Sequence, residues 1–273
     1  MVTTVAAPAA FSVFADLLQR EAGVHLPREK AYLLSTRLAG VMRREDVCSL
    51  DALSARLPGR SDLRGDVVEA LLNHETYFFR DAIPFRHLEH EYLPRLHERK
   101  MRSKRLRIWC AACASGQEPL SLAILFARSP ARWRDWDVEI HATDISQAVI
   151  DKAASGLFTQ FEVQRGLPTP LLLDHFTQEG DKWRVHREIA ERVTFRRHDL
   201  LSSSPVRNVD LVLARNVMLY FRPAERERAL RNLAAAAAPD AGLMLGAAET
   251  IFNDASGFEP DPDSRGFYRR VTS

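Results

Sequence analysis

The first third of the chain carries apolar residues at helical spacing. Phe14, Leu17 and Leu18 lie three and four positions apart, and leucines and valines continue the spacing as far as the early seventies. Glycine and proline interrupt the pattern at Gly23, Pro27, Pro58 and Gly59. Because these residues end helices, the pattern predicts several short helices rather than one long one. We therefore predict an all-helical N-terminal domain over 11–81.

Beyond residue 107 the pattern changes to short apolar runs that alternate with helical stretches. The runs lie at 108–110, 137–146, 191–200, 208–217, 241–249 and 266–271. Strands that alternate with helices favour an α/β fold with a mostly parallel, doubly wound sheet. The run at 266–271 is predicted to be an antiparallel edge strand. The second domain is predicted to cover 107–273.

One interval breaks this alternation. Residues 155–190 are rich in glycine and proline and contain the turn sequence Glu179-Gly180-Asp181, which is followed by Trp183 and Val185. Such a stretch is more typical of a hairpin than of a crossover helix. We predict a small inserted β-subdomain here.

The first strand of the second domain leads into a turn of small residues, which includes Ala112 and Gly116. Pro119 and an apolar stripe then indicate a helix. Small residues let the backbone pass close to a ligand, although an ordinary turn without a ligand fits the same residues. A dinucleotide fingerprint needs three spaced glycines, so a nicotinamide dehydrogenase is disfavoured.

Composition narrows the possible partners and compartments. Lys and Arg total 38 against 36 Asp and Glu, a net charge of +2, which gives no argument for nucleic-acid binding. Three cysteines are too few for a disulfide framework, and the spacing of Cys110 and Cys113 lacks the second pair that a metal site needs. No apolar run is long enough to cross a membrane, and the first residues lack a basic leader. We expect a cytoplasmic protein without a metal.

A basic stretch separates the two predicted domains. Arginine and lysine crowd into 95–107, just before the first strand. We interpret 82–106 as a basic linker, because charge runs are usually solvated, although a docking surface fits the same residues.

Polar residues follow several of the predicted strands. Asp144 ends the second strand, Asp199 ends the third, and Arg215 and Asn216 follow the fourth. Each has an alternative interpretation as a helix cap or turn residue. Together at one edge of a parallel sheet, they indicate a ligand site, with Asp144 placed for ribose hydroxyls and Asp199 for an adenine amino group. The sequence thus predicts a ligand that contains adenosine.

Five ordered motifs then reveal a resemblance to a known family. NHETYFFRD, WCAACASGQEPLS, ATDIS, HDLL and LVLARNVMLYF resemble the motifs of CheR-type chemoreceptor glutamate O-methyltransferases. The resemblance covers nearly the whole chain, with His74 where the family usually has asparagine. It implies a class I methyltransferase fold, Rossmann-like, with the helical domain in front and the β-subdomain inserted.

The resemblance also implies a reaction and a set of site residues. S-adenosylmethionine would methylate glutamate carboxylates in the cytoplasmic domain of chemoreceptors and leave S-adenosylhomocysteine, and the enzyme would approach the membrane only through its receptor. Arg80 and Tyr220 would lie near the reacting methyl group. The residues that the resemblance assigns to the cofactor are His74, Thr76, Arg80, Ala112, Gly116, Glu118, Asp144, Ile145, Asp199, Leu200, Arg215 and Asn216.

Two further expectations concern specificity. A non-catalytic module that binds S-adenosylmethionine or S-adenosylhomocysteine would share this fold, although Arg80 and Tyr220 are both present. The short turn at 179–181 predicts that the protein does not tether to a receptor's C-terminal pentapeptide.

Overall fold

The computed structural model describes residues 8–251 and 257–271. The first residues, on which the interpretation of the N-terminus rested, lie outside these ranges, as do 252–256 and 272–273 of the predicted second domain. The chain divides into two compact units. The helical unit runs to Asn73 and includes Tyr220–Glu225, and the sheet unit comprises His74–Leu219 and the chain from Arg226 onward.

The helical unit is built as the periodicity predicted. Its α-helices are α1 Pro8–Ala22, α2 Leu33–Arg37, α3 Ala39–Arg44, α4 Leu50–Ala55 and α5 Ser61–Leu71, with a 3₁₀ turn at Arg28–Lys30. Phe14, Leu34, Leu53 and Leu63 are completely buried and form the centre of its core. Ser49 caps α4 by accepting a hydrogen bond from the amide of Ala52. The unit ends at Asn73, whereas the sequence placed the helical domain's boundary at Asp81.

The sheet unit contains a seven-stranded sheet. Its strands are β1 Arg105–Ala111, β2 Asp137–Asp144, β6 Val193–Arg197, β7 Val209–Ala214, β8 Ala237–Leu245, β9 Phe258–Pro260 and β10 Phe267–Arg270. Their order across the sheet is β6-β2-β1-β7-β8-β10-β9. The first five are parallel, and β10 pairs antiparallel with β8 and β9. Every residue of β7 is buried, as expected for a central parallel strand. The predicted doubly wound fold with an antiparallel last strand is confirmed.

Helices cover the sheet and connect its strands. They are α8 Gln117–Arg128, α9 Pro130–Trp133, α10 Gln147–Ser155 and α14 Pro223–Ala236. Helix α14 ends at Ala236, and Pro239 lies inside β8. The ladder between β7 and β8 is irregular between Ala237 and Gly242, and a proline without an N–H group is tolerated at such a point.

The stretch at 82–106, expected to be a linker, is mostly helical. It contains α6 Ile83–His87, a π-helical turn at Leu88–Tyr92 and α7 Leu93–Lys100. Phe85, Leu88, Tyr92 and Leu96 are buried in the core of the sheet unit. The apolar spacing therefore decides the structure, and the basic residues lie on the outer face of the same helices.

Acids neutralise much of that basic face. Lys100 binds Asp210 at 2.7 Å and Asp240 at 3.1 Å, and both Arg105 and Arg107 bind Glu139. These ion pairs join β1 to β2 and the end of α7 to β7 and β8. The interpretation as a docking surface loses support here.

The predicted inserted subdomain is present. It contains a three-stranded antiparallel sheet in the order β3-β5-β4, with β3 Leu157–Thr159, β4 Phe176–Glu179 and β5 Lys182–Val185. Its helices are α11 Gln160–Gln164, α12 Thr169–His175 and α13 Arg187–Ala190. Gly180 has a φ of 62° in the tight turn between β4 and β5, where glycine is favoured. Within the described ranges, no helix of either unit has the length and apolar character that a membrane crossing requires.

Candidate functional site

The turn between β1 and α8 has an unusual backbone. Gly116, the N-cap of α8, has a φ of 92°, and Ala112 and Ala114 have φ values of 61° and 48°. A left-handed conformation costs a non-glycine residue about 1 kcal/mol, so two alanines here store strain. A Cβ on Gly116 would lie 2.8 Å from the Cβ of Ala153, so the close packing of α10 also requires glycine.

Asp144 anchors this strained turn. Its carboxylate accepts hydrogen bonds from the amide of Ala114 at 2.9 Å and from the amide of Ser146 at 3.1 Å. The amide of Cys113 donates to the carbonyl of Thr143 at 2.9 Å. The end of β2 therefore fixes the turn after β1, and Asp144 lies where the parallel strands end.

A buried ion-pair network follows the turn. Glu118, in the first turn of α8, binds Nη1 of Arg215 at 3.0 Å, and Nη2 of Arg215 binds Asp81 at 3.0 Å. The side chain of Arg215 is completely buried. Burial raises the pKa of Glu118, and Arg215 opposes that shift. Because a buried charge is costly unless it is paired, each member of the network depends on the others.

The same arginine fixes the segment that carries Arg80. Nη2 of Arg215 donates to the carbonyl of Arg80 at 2.8 Å. Phe79 and Asp81, on either side, have φ values of 50° and 58°. The amide of Phe79 donates to Oγ of Ser121 at 3.0 Å, so α8 also supports the segment. Arg80 therefore lies between two strained residues that buried groups of the sheet unit hold in place.

The loop after β7 is held by an acid that the sequence analysis did not select. Glu249 accepts hydrogen bonds from the amides of Asn216 at 2.6 Å, Gly246 at 2.8 Å and Leu219 at 3.3 Å. Asn216 has a φ of 58°. A Cβ on Gly246 would lie 2.6 Å from Nδ2 of Asn216, so the loop packs closely on the end of β8. Glu249 thus sets the position of Asn216.

Replacing Glu249 with glutamine tests this anchor. In the variant, the side-chain amide of the glutamine would direct its own N–H toward the backbone N–H groups that donate to the carboxylate in the wild-type protein. Because hydrogen bonds to a charged group contribute about 1.5–3 kcal/mol, we expect Glu249→Gln to lower the free energy of unfolding by roughly 2 kcal/mol. We also expect S-adenosylhomocysteine, measured by calorimetric titration, to bind about tenfold more weakly, since 1.4 kcal/mol corresponds to a factor of ten.

The control for this experiment is Glu259→Gln, which makes the same change in an exposed ion pair with Arg269. Equal affinities of the two variants for S-adenosylhomocysteine would show that Glu249 does not position the site.

The remaining assigned residues of the sheet unit lie near the same strand ends. Asp199 is two residues beyond β6 and accepts a hydrogen bond from the amide of Leu201 at 2.9 Å, as a turn-forming acid does. Leu200 is buried, and Ile145 directly follows β2. His74 and Thr76 are half-buried and precede the Arg80 segment.

Tyr220 belongs to the helical unit, unlike the other assigned residues. Its hydroxyl accepts a hydrogen bond from Nδ2 of Asn73, and its carbonyl accepts one from the amide of His25 at 2.8 Å. Its role beside the reacting methyl group stays a prediction.

Cysteine chemistry does not contribute to this site. Cys110 and Cys113 are buried free thiols, and burial raises the pKa of each well above its ordinary value. Cys48 is exposed in the helical unit. In the part of the chain that the structure describes, no group of three or more His, Cys, Asp or Glu side chains could hold a metal ion.

Sequence reasoning missed three residues that hold the site: Asp81, Ser121 and Glu249. Glu249 follows an apolar strand just as Asp144 does, so the signal that selected Asp144 was present for Glu249 too. Asp81 stands inside the quoted motif, but its partner Arg215 is 134 positions away. Ser121 closes the second quoted motif, but a serine inside a helix is ordinary and gives no sign of its bond to Phe79, which is 42 positions away.

Two buried polar atoms of the sheet unit are available to polar ligands. Within residues 8–251 and 257–271, Oδ1 of Asn216 and Nε of Arg80 are buried without a hydrogen-bond partner. Natural proteins pair nearly all such atoms, so Asn216 is available to a donor and Arg80 to an acceptor. The amino group of S-adenosylmethionine is a suitable donor, and a carboxylate is a suitable acceptor.

Comparisons with known proteins show what this chain is similar to. One family model, described as "CheR methyltransferase, all-alpha domain", matches residues 9–74, and another, "CheR methyltransferase, SAM binding domain", matches residues 74–266. Chemotaxis protein methyltransferase 1 of Pseudomonas aeruginosa is 36% identical over 91% of this chain and 92% of its own length. Chemotaxis protein methyltransferase Cher2 of Pseudomonas putida is 34% identical over 88% of this chain and 90% of its own length.

Among solved structures, the glycopeptide N-methyltransferase MtfA complexed with (S)-adenosyl-L-methionine is similar with a TM-score of 0.33. It is 12% identical and covers 50% of this chain and 45% of its own. A likeness at this level carries no argument about the cofactor or the substrate.

Proposed function

Because the chain belongs to the CheR methyltransferase family, we propose that it transfers the methyl group of S-adenosylmethionine to glutamate carboxylates of a chemoreceptor. The observation that carries the proposal is the position of Arg215. Its buried guanidinium joins Glu118, at the start of α8, to Asp81 and to the carbonyl of Arg80. The segment that carries Arg80 is thereby held at the edge of the sheet where parallel-sheet enzymes bind their ligands.

Several assigned residues offer the cofactor a group of suitable chemistry, whereas the charged groups of Glu118 and Arg215 bind each other. Asp144 is assigned to the ribose hydroxyls and Asn216 to the amino group of the methionine moiety. Ala112 and Gly116 supply a backbone that a ligand can approach closely. Asp199 is proposed as the acceptor for the adenine amino group, and the further residues proposed to line the cofactor are His74, Thr76, Ile145 and Leu200.

The chemistry asks little of the protein beyond alignment. S-adenosylmethionine supplies a methyl group on a sulfonium centre. A glutamate has an ordinary pKa near 4.3, so the nucleophile is ionised at neutral pH and needs no general base. Arg80 is proposed to orient this carboxylate through charge-assisted hydrogen bonds. Tyr220 is proposed to stabilise the sulfonium cation of the cofactor. Holding two reactants in a reactive geometry is worth several powers of ten in rate.

Methyl transfer can be measured directly. S-adenosylmethionine labelled with tritium in its methyl group is incubated with cytoplasmic fragments of receptors from the same organism, and base-labile methyl esters are counted. We expect incorporation that mass spectrometry maps to glutamates. A protein that binds S-adenosylhomocysteine tightly and labels no receptor fragment would instead be a non-catalytic binding module.

Arg80→Lys keeps the charge and removes the planar fork of the guanidinium. We expect kcat to fall on the order of 100-fold, because a misplacement of about 1 Å has an effect of that size. Affinity for S-adenosylhomocysteine is expected to change little. Arg86→Lys, at an exposed position in α6, is the control. Unchanged turnover in the Arg80 variant would refute the orienting role.

A basic face is expected for a receptor whose methylated helices are acidic. In the helical unit, Arg44 binds Asp66 at 2.5 Å and Arg37 donates to the carbonyl of Leu71 at 2.5 Å. Arg43 is exposed at the end of α3, so we propose that it contacts the receptor.

Charge-reversal variants test whether the receptor contacts Arg43 of the helical unit or the basic stretch at 95–107. We expect Arg43→Glu to raise KM for a receptor fragment by roughly fivefold at low salt, about 1 kcal/mol, with a smaller effect at high salt. Arg102→Glu makes the same change at an exposed position after α7. If only the Arg102 variant shows the effect, the docking face lies on the sheet unit.

Two further proposals follow from the family. The turn between β4 and β5 is short, with Gly180 and Asp181 between the strands, which supports docking without a pentapeptide tether. Submicromolar binding of a receptor's C-terminal pentapeptide would contradict that. We also propose that the enzyme acts in the cytoplasm, where the methylated region of such receptors lies.

A further inference from the structure

The inserted subdomain contacts the segment that carries Arg80 through one arginine. Nη2 of Arg165, which follows α11, donates to Oε1 of Glu75 at 2.5 Å. The guanidinium of Arg165 also lies 4.5 Å from the centroid of the Tyr77 ring. This hydrogen bond lowers the pKa of Glu75, so the carboxylate stays ionised and paired.

Arg80 contacts the same two residues, but it binds the backbone carbonyl of Glu75 and not the carboxylate. Its Nη1 donates to the carbonyl of Glu75 at 2.6 Å, and its guanidinium lies 5.6 Å from the centroid of the Tyr77 ring. In the described part of the chain, this is the one hydrogen bond that the guanidinium makes. The direction of the Arg80 side chain thus depends on Glu75 and Tyr77, and Arg165 contacts both.

The backbone next to Arg165 packs directly on the same segment. Gly166 has a φ of 85°, and a Cβ there would lie 2.0 Å from the carbonyl oxygen of Phe78. The ring of Phe78 makes edge contacts with Phe158 and Phe176 of the insert, at centroid distances of 5.2 and 5.6 Å. The backbone next to Arg165 is therefore fixed against residues 75–78, and the ion pair that Arg165 makes with Glu75 is itself partly exposed.

We propose that Arg165 is a positioning residue that directs the guanidinium of Arg80, so the inserted subdomain completes the methyl-transfer site. This inference rests on the proposed function, because it gives Arg80 the substrate-orienting role. The backbone of the Arg80 segment is held separately, by Ser121 and Arg215. Loss of Arg165 would therefore loosen residues 74–77 and change the direction of the Arg80 side chain, while the strained backbone at 79–81 stays in place.

The test compares two arginines of the same subdomain. Arg165→Met keeps the aliphatic stem and removes the guanidinium. Arg184→Met is the matched control, because Arg184 binds Glu179 at 2.5 Å in an exposed pair of the same insert. Arg165→Lys keeps the charge for Glu75 but loses the flat face over Tyr77, so it should rescue only part of the loss.

We expect Arg165→Met to lower kcat on the order of tenfold, with KM, Tm and affinity for S-adenosylhomocysteine equal to those of Arg184→Met. Combined with Arg80→Lys, it should add little further loss, because both changes remove the same alignment. Equal kcat in the two methionine variants, or full additivity with Arg80→Lys, would overturn the inference.

A readout without turnover separates this inference from the proposed function. Hydrogen exchange of a peptide covering 74–81 is expected to be faster in Arg165→Met than in Arg184→Met. If the wild-type protein methylates no receptor fragment, the proposed function fails, but faster exchange would still support the positioning contact. Unchanged exchange would overturn the contact whatever the activity.

Discussion

Arg215→Met is expected to lower the free energy of unfolding of the sheet unit by about 3–5 kcal/mol, as the removal of one partner from a buried ion pair usually does. The substitution leaves Glu118 and Asp81 without their guanidinium, and the side chain of Glu118 is only 10% exposed. Urea denaturation followed by tryptophan fluorescence measures the change, since all four tryptophans of the chain lie in the sheet unit.

The loss of unfolding free energy in Arg215→Met should depend on pH, and it should be larger at higher pH. Without Arg215, the burial that already raises the pKa of Glu118 would be opposed only by the weaker effect of Arg80. A carboxylate whose pKa is higher in the folded state is destabilising once ionised, so stability is lost as pH rises through the folded pKa. The difference in unfolding free energy between wild type and variant should therefore become smaller as pH falls toward the ordinary pKa range of glutamate.

A double variant distinguishes an unpaired charge from a packing defect. Glu118→Gln removes the charge, so Arg215→Met with Glu118→Gln should regain part of the lost stability. Arg269→Met removes a partner from an exposed pair and should change stability by less than about 1 kcal/mol. If the double variant is no more stable than Arg215→Met, cavity formation and not charge explains the loss.

Asp144→Ala is expected to weaken the binding of S-adenosylhomocysteine by on the order of 100-fold or more, since each hydrogen bond to a charged group contributes about 1.5–3 kcal/mol. Two effects combine. The ribose loses its proposed acceptor, and the amides of Ala114 and Ser146 lose the carboxylate that fixes the strained turn. Calorimetric titration gives the affinity, and thermal unfolding without ligand gives the structural part.

The matched control is Asp151→Ala, at an exposed position on α10, the helix that follows β2. We expect its affinity for S-adenosylhomocysteine to equal that of wild type. Binding by Asp144→Ala within threefold of that control would exclude Asp144 from the cofactor site.

The sequence predicted the fold well because its signals were local. Alternation of apolar runs and helices predicted the parallel sheet, and clustered glycine and proline predicted the insert at 155–190. The helices at 83–100 were missed although Phe85, Leu88, Tyr92 and Leu96 have helical spacing. The density of basic residues suggested a solvated linker, but charge on one face of a helix does not prevent burial of the other.

The site was harder to predict, because side-chain direction depends on distant partners. Arg215 follows an apolar strand just as a ligand-binding residue would, yet its guanidinium contacts Glu118, which is 97 positions away. The turn after β1 was expected to consist of small residues, but the sequence did not show that Ala112 and Ala114 adopt left-handed conformations as Gly116 does. Alanine seldom does so, and here the turn is held by hydrogen bonds to the end of β2.

Burial divides the three thiols of this chain into two classes. The thiolate is the form that reacts with maleimides, and the raised pKa of Cys110 and Cys113 keeps both in the unreactive thiol form at neutral pH. Cys48 is exposed. A maleimide dye should therefore attach at Cys48 alone, so receptor docking could be followed by fluorescence from the helical unit of the native sequence, without an engineered cysteine.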